Sequence, residues 1–319
     1  MNLFYTDGRQ KSAVRVFVAW VIPLIVFTKH CGCRHNSGEK MRKISAEAVI
    51  SAVSGICSAA NCELNPDVYR SLCEASANDE SERARGILSL LVKNANIAHV
   101  KKIPICQDTG TAVFFVEIGE EARIDGNITF LINQGVREGY EKGFLRKSIV
   151  GDPLLRKNTG DNCPAVIHYS FVSGSGLKIS LLPKGGGSEN MSRLFMLSPS
   201  DGEEGVLRSV IQTVREAGSN ACPPLIVGVG VGGNFEYAAI LAKKALLRPI
   251  GEYSTLGHVK TLETRLLSEI NKTGVGPAGL GGSTTALWLA VETAGCHIAS
   301  FPVAVNLSCH AARHMSVCL

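Results

Sequence analysis

The chain has 319 residues, 33 Lys plus Arg against 28 Asp plus Glu, and 45% hydrophobic content with only 6% aromatic. Enough apolar side chains are present to bury one or two full cores, which excludes a disordered tail, a collagen-like repeat and a small disulfide-stapled module. Six bases and two acids fall in the first 40 residues, leaving a body of 27 bases and 26 acids whose composition gives no reason to bind nucleic acid.

Residues 13–27 form an apolar run of 15, short for a membrane span. A signal-peptide core fits that length better, yet no small-x-small cleavage site follows. Met41 opens a well-formed amphipathic stretch, so residues 1–40 read as an upstream extension, ahead of a targeting segment or an unstructured tail, and residues 41–319 as the folded domain. No membrane partner is expected.

From Met41 the pattern predicts three helices. Ile44, Val49, Val53, Ile56 and Ala60 follow helical spacing around Ser45, a cap. Asn65-Pro66-Asp67 supplies a cap, a first-turn proline and a first-turn acid for a second helix to about residue 77. A third covers 80–99, with Ile87, Leu88, Leu91 and Ile97 on its apolar side. Strand patterns follow at 112–118, 165–171, 178–182, 225–229, 285–291 and 303–307, and helical ones at 128–144, 203–217, 235–247 and 259–271. With no short-period repeat and no low-complexity linker, this predicts one α+β domain: amino-terminal helices, then a mixed β-sheet with flanking helices.

Eleven cysteines without secreted-style spacing fit reduced thiols or a cofactor site in a cytoplasmic protein better than a disulfide framework. Cys57, Cys62 and Cys73 lie in helical patterns, as small buried thiols do. Cys31 and Cys33 form C-x-C in the extension, and Cys318 adjoins the terminus. Cys106, Cys222 and Cys309 differ, each occupying a turn beside a strand end: Cys106-Gln107-Asp108-Thr109-Gly110, Ala221-Cys222-Pro223-Pro224 and Ser308-Cys309-His310. Such turns present reactive groups, while separations of 116 and 87 residues match no zinc-finger or ferredoxin spacing.

Taken alone, Asp108 reads as a turn residue, Gly185-Gly186-Gly187 as a flexible turn, Arg146 as an exposed helix end and His297 as a structural histidine. Gly228-Val229-Gly230-Val231-Gly232-Gly233 satisfies G-x-G-x-x-G between a strand and a helix, the context of a dinucleotide site. The short strand, the missing βαβ half before it and a loop position for Glu252 count against an NAD(P)-binding oxidoreductase.

The segments IPICQDTGTAVFFVEIG, RKNTGDNCPAVIHY, PKGGGSENMSRLFML, NACPPLIVGVGVGG, LAKKALLRPIG and GPAGLGGSTTALWLAVETAGCHIASFPVAVNLSCHAARH together resemble the alpha subunit of class I, iron-sulfur-dependent fumarate hydratase, over about residues 41–319. The resemblance implies an iron-sulfur hydro-lyase domain of the tricarboxylic acid cycle that hydrates fumarate reversibly to (S)-malate. It implies Cys106, Cys222 and Cys309 as the three thiolate ligands of an oxygen-sensitive 4Fe-4S cluster. Three thiolates leave one iron open as a Lewis acid, where four would close it. It further implies Asp108 and His297 as the acid pair that protonates the departing hydroxyl, Gln107 and Arg146 as contacts to a small dicarboxylate, and Gly185, Gly186 and Gly187 as a backbone cradle for substrate or cluster.

By the same resemblance a beta subunit supplies the base that removes the carbon-bound proton. The chain is therefore expected to be inactive alone and to assemble as a heterotetramer of two alpha and two beta subunits. The alpha subunit of L-tartrate dehydratase is the near alternative, although GGGSENMSR and GGSTTALWLAVE look more like the fumarate enzyme. A non-catalytic iron-sulfur sensor or a structural zinc protein is the remote one, and it leaves Asp108, Arg146 and the glycine motifs without a purpose. Cys163 and Cys296 are expected to be dispensable.

Overall fold

The computed structural model describes residues 42–319, so the apolar run and the C-x-C of the amino-terminal segment lie outside the described residues, as does the reading of 1–40 as an extension. A short strand β1 (Arg42–Ile44) leads into α1 (Ala46–Cys62), α2 (Pro66–Asn78) and α3 (Glu82–Lys101). Ser45 caps α1 by accepting the Ala48 N–H at 3.2 Å, and Ser81 caps α3 by accepting the Ala84 N–H at 3.3 Å. Asn65 makes no such bond to α2; its Oδ1 accepts the His314 N–H at 3.0 Å instead. Ile97 is exposed, and α3 buries the small stripe Ala84, Leu88, Ala95 and Ala98.

The chain continues through β2 (Thr111–Gly119), β3 (Ala122–Ile124), α4 (Ile128–Lys142), β4 (Val166–Val172), β5 (Leu177–Lys184), α5 (Gly186–Asn190), β6 (Arg193–Leu197), α6 (Gly202–Ala217), β7 (Leu225–Gly232), α7 (Phe235–Ala245), α8 (Gly257–Asn271), β8 (Ala286–Ala294), β9 (Phe301–Ser308) and β10 (Met315–Cys318). Every predicted strand and later helix is present within a few residues of its expected ends. The elements that went unpredicted, β1, β3, α5, β6 and β10, have at most five residues each, too few to display a period.

The fold is α+β, but the longer strands divide between two sheets rather than one. The first has the order β10-β5-β2-β4, with β4 parallel to β2; the second has the order β6-β9-β7-β8, with β8 parallel to β7. On the first sheet α1 and α4 cover one face, around Phe114, Leu181, Ile132 and Tyr140. A fully buried side chain of this kind contributes about 2 kcal/mol. On the second, α6 and α8 cover one face around Val227, Leu289 and Val305. Between the sheets, Val113, Phe115 and Leu182 of the first pack with Ile226 and Trp288 of the second and with Ala245 and Leu246.

Gly228 and Gly230 lie inside β7 rather than in the turn after it. A Cβ at these positions would fall 2.0 and 2.1 Å from the carbonyl oxygens of Ala242 and Ala238, so glycine is what lets α7 seat on the strand. The G-x-G-x-x-G run is therefore a packing feature, and Glu252 lies in the loop after α7. Past the end of β9, residues 309–314 leave the second sheet and cross to the first, where β10 pairs with β5. Among the described residues no helix is long and apolar enough to cross a membrane.

Candidate active site

The Cys106 turn is anchored on both sides. Before it, the Ile105 N–H donates to the Asn61 carbonyl at 2.9 Å, and Asn94 Nδ2 donates to the Ile105 carbonyl at 2.8 Å. After it, Asp108 accepts two backbone N–H groups, that of Gly110 on Oδ1 at 3.0 Å and that of Gly186 on Oδ2 at 2.7 Å. Thr109 Oγ1 donates to the Arg146 carbonyl at 2.9 Å, which brings the exposed Arg146 segment beside Asp108. Beneath the turn, the buried Tyr140 hydroxyl donates to the Thr109 and Gly110 carbonyls at 3.1 and 3.0 Å. Buried Asn162 donates to the Gly110 carbonyl at 3.2 Å and accepts the Ser148 N–H at 2.7 Å.

Cys222, just before β7, is exposed and holds a left-handed backbone with φ +53°. Its carbonyl lies 3.2 Å from the His310 N–H donor and 3.1 Å from His310 Nδ1, which ties its turn to the residue after Cys309. Partial burial raises the Cys222 thiol, and Cys106 adds to the rise. Burial likewise raises Cys309, with Cys106 again adding to the rise and Arg313 and Lys184 opposing it. Cys106 thus lies within electrostatic reach of both other thiols, and its charge disfavours ionisation of each of them.

Lys184, at the end of β5, is buried. Its amine donates to Ser188 Oγ at 2.9 Å and pairs with Glu189 at 3.2 Å, and Glu189 also pairs with Lys243. Burial pulls the Lys184 amine below its ordinary value against the opposing pull of Glu189. Three soft sulfur donors, on a Cys309 turn hydrogen-bonded to the Cys222 turn through His310 and to the Cys106 turn through Arg313, fit a thiolate-held iron-sulfur centre. Among the described residues no three His, Cys, Asp or Glu side chains close on a point as a single bound ion requires.

The structure therefore brings Cys106, Cys222, Cys309, Gln107, Asp108, Arg146 and the glycines 185–187 into one neighbourhood. The Gly186 N–H is taken by Asp108, so that part of the glycine run acts through the carboxylate. A Cβ at Gly185 would stand 3.2 Å from the same Oδ2.

His297 is elsewhere. It is exposed in the loop before β9, beside Gly233, Asn234 and Tyr237 at the end of β7 opposite Cys222, and its Nδ1 accepts the Ala299 N–H at 3.1 Å. The eight residues of β9 separate it from Cys309, about 23 Å of strand. Within one chain the expected pairing of Asp108 with His297 is not assembled.

Cys163 and Cys296 also lie apart from the thiol turns. Burial pushes the Cys163 thiol up to about 11, and Cys296 is exposed in the His297 loop. Asn61, Lys184 and Arg313, which hold the site together, were not singled out from sequence. Arg313 and Lys184 stand in telling contexts, four residues after Cys309 and directly before Gly185; Asn61 does not.

The chain is similar to known proteins over most of its length. A Methanocaldococcus jannaschii protein provisionally named L(+)-tartrate dehydratase subunit alpha is 41% identical over 257 residues, covering 78% of this chain and 90% of that protein. The L(+)-tartrate dehydratase subunit alpha of Escherichia coli K12 is 34% identical over 250 residues, covering 77% and 82%. The family model described as fumarate hydratase (Fumerase) matches residues 50–318, which takes in every residue of the site. The chain belongs to the fumarate hydratase (Fumerase) family.

Proposed function

We propose that the chain is the alpha subunit of a hydro-lyase that removes water from a four-carbon 2-hydroxy-dicarboxylate, with Cys106, Cys222 and Cys309 holding a 4Fe-4S cluster. The observation that carries this reading is that the Cys309 turn is hydrogen-bonded to both other cysteine turns, through His310 and Arg313, beside the doubly anchored Asp108 carboxylate. Such a cluster, when bound by only three thiolates, supplies Lewis acidity toward the leaving hydroxyl.

The chain's own residues do the rest. Arg146 offers a guanidinium fork to a substrate carboxylate, and Gln107 orients the substrate beside it. Asp108 is the last member of the proton path to the leaving hydroxyl, which departs as water when its C–O bond breaks. The proton on the adjacent carbon goes to a base, and the electron pair left behind forms the C=C bond. The names of the relatives as alpha subunits support a beta subunit as the source of that base. His297 can reach the same substrate only from a second copy of the chain, which favours an assembly in which alpha subunits pair.

The relatives' names favour L-tartrate as the substrate, against the expectation drawn from GGGSENMSR and GGSTTALWLAVE. Its dehydration yields an enol that tautomerises to a keto diacid. Malate and fumarate form the second reading, carried by the family description. The two hydroxy diacids differ by one hydroxyl, and a site built to hydrogen-bond that group can discriminate by about 10⁴-fold. Anaerobic assays of both substrates, with the alpha and beta chains co-expressed, test the choice: a kcat/KM higher for malate would reverse it. Iron and acid-labile sulfide analysis tests the cluster, and zinc without sulfide would sink that part of the proposal.

A further inference from the structure

One buried cation has no part in the reaction as described. Arg313 is 3% exposed and lies on the crossing from the second sheet to the first. Its Nε and Nη2 donate to Asn61 Oδ1 at 3.2 and 3.0 Å, Nη1 donates to the Ala311 carbonyl at 2.8 Å, and Nη2 donates to the Asp108 carbonyl at 2.9 Å. Asn61, fully buried near the end of α1, donates Nδ2 to the Cys57 carbonyl at 2.9 Å. Its own carbonyl accepts the Ile105 N–H. The pair thus grips the Cys106 turn from both flanks, at residues 105 and 108, and the Cys309 turn at residue 311.

The charge balance points the same way. A guanidinium stays ionised, and burying it is costly without a counter-charge. All of Arg313's hydrogen-bond acceptors are neutral oxygens, and among the described residues it makes no ion pair with a carboxylate. Its guanidinium is hydrogen-bonded two residues beyond Cys309, at the Ala311 carbonyl, and two residues beyond Cys106, at the Asp108 carbonyl, so the uncompensated charge sits between two of the thiol turns.

We infer that Arg313, held by Asn61, is a positioning residue for the cluster ligands: it sets the spacing of the Cys106 and Cys309 turns and is the buried counter-charge to the thiolate-bound cluster. The inference rests on the cluster reading proposed above. Supporting groups behind metal ligands govern how firmly the metal is held, with losses of about 10- to 100-fold on their removal.

The test uses the full chain as wild type, Arg313→Lys, Arg313→Gln and Asn61→Ala, each reconstituted anaerobically with iron and sulfide. It measures iron and sulfide per chain, the rate at which cluster absorbance bleaches under a chelator, the midpoint potential, and the melting temperature of the cluster-free chain. Arg313→Lys keeps the charge but loses the fork, and it should bleach about 10-fold faster than wild type while its cluster-free form melts near wild type. Arg313→Gln should bleach faster still and show a lower potential, since removing a positive charge makes reduction harder. Asn61→Ala should match Arg313→Lys. Wild-type bleaching rate and potential in any folded Arg313 variant overturn the inference. A wild-type chain that takes up no sulfide brings down the cluster reading itself, a result distinct from that one.

Discussion

The two ends of the β7–β9 strand pair differ sharply. At one end Cys222 and Cys309 are linked to each other and to Cys106 through His310, Arg313 and Asn61. At the other, Gly233 and His297 sit in exposed loops over a shallow open hollow, with Ile298 almost fully exposed beside them. A cross-bonded end suits ligands that must keep a fixed separation. The open end leaves His297 exposed to solvent, away from the thiol turns. Under the proposed pairing of alpha subunits one chain would present two half-sites, and the comparison can be broken from either side.

The largest effect is expected at the cysteine end. Cys106→Ser, Cys222→Ser or Cys309→Ser should reduce iron and sulfide to background and abolish turnover; full cluster content in any of them would remove that residue from the ligand set. Next, Asp108→Asn and His297→Asn should each lower kcat by about 10²- to 10⁴-fold, the range for losing a proton donor, with iron content unchanged. Mixing these two inactive chains should restore turnover, because a site combining Asp108 of one copy with His297 of the other is then intact. No recovery in verified hybrids refutes the two-copy arrangement.

A smaller effect, confined to stability, follows from the seat of α7. Gly230→Ala drives a methyl into the Ala238 carbonyl and should cost about 1–3 kcal/mol by overpacking, read by denaturant melts. Stoichiometric NADH binding by the wild-type chain would show that the glycine run has a second use. The smallest change is expected from Cys296→Ser, an exposed site where stability should move by no more than about 0.5 kcal/mol and iron content should stay at the wild-type level.

The sequence shows some of this architecture more readily than the rest, for physical reasons. Ser45 announces its helix because capping is a local bond between residues three apart. The thiol turns are visible because proline, glycine and strand ends punctuate them. Arg313 and Asn61 are 252 positions apart, and no local pattern links a helical asparagine to a distant guanidinium. His297 shows the opposite trap. Its motif places it twelve residues before Cys309, yet an extended strand in between carries it to the far end of the sheet. The division into two sheets was hidden as well, because β6 and β10, an edge strand of each, are too short to read.

The packing between the sheets has an optical consequence. The sequence has two tryptophans, and the one within residues 42–319 is Trp288, 3% exposed and edge-on to Tyr253 at 4.8 Å between ring centroids. In a chain begun at Met41, tryptophan emission comes from that position alone, next to the boundary that residues 309–314 cross. Emission that shifts to the red as iron is chelated would reveal water entering between the sheets, and emission that holds still would mark the apolar contact as independent of the thiols. Intrinsic fluorescence can thus follow the joint between the two layers in real time, without a label.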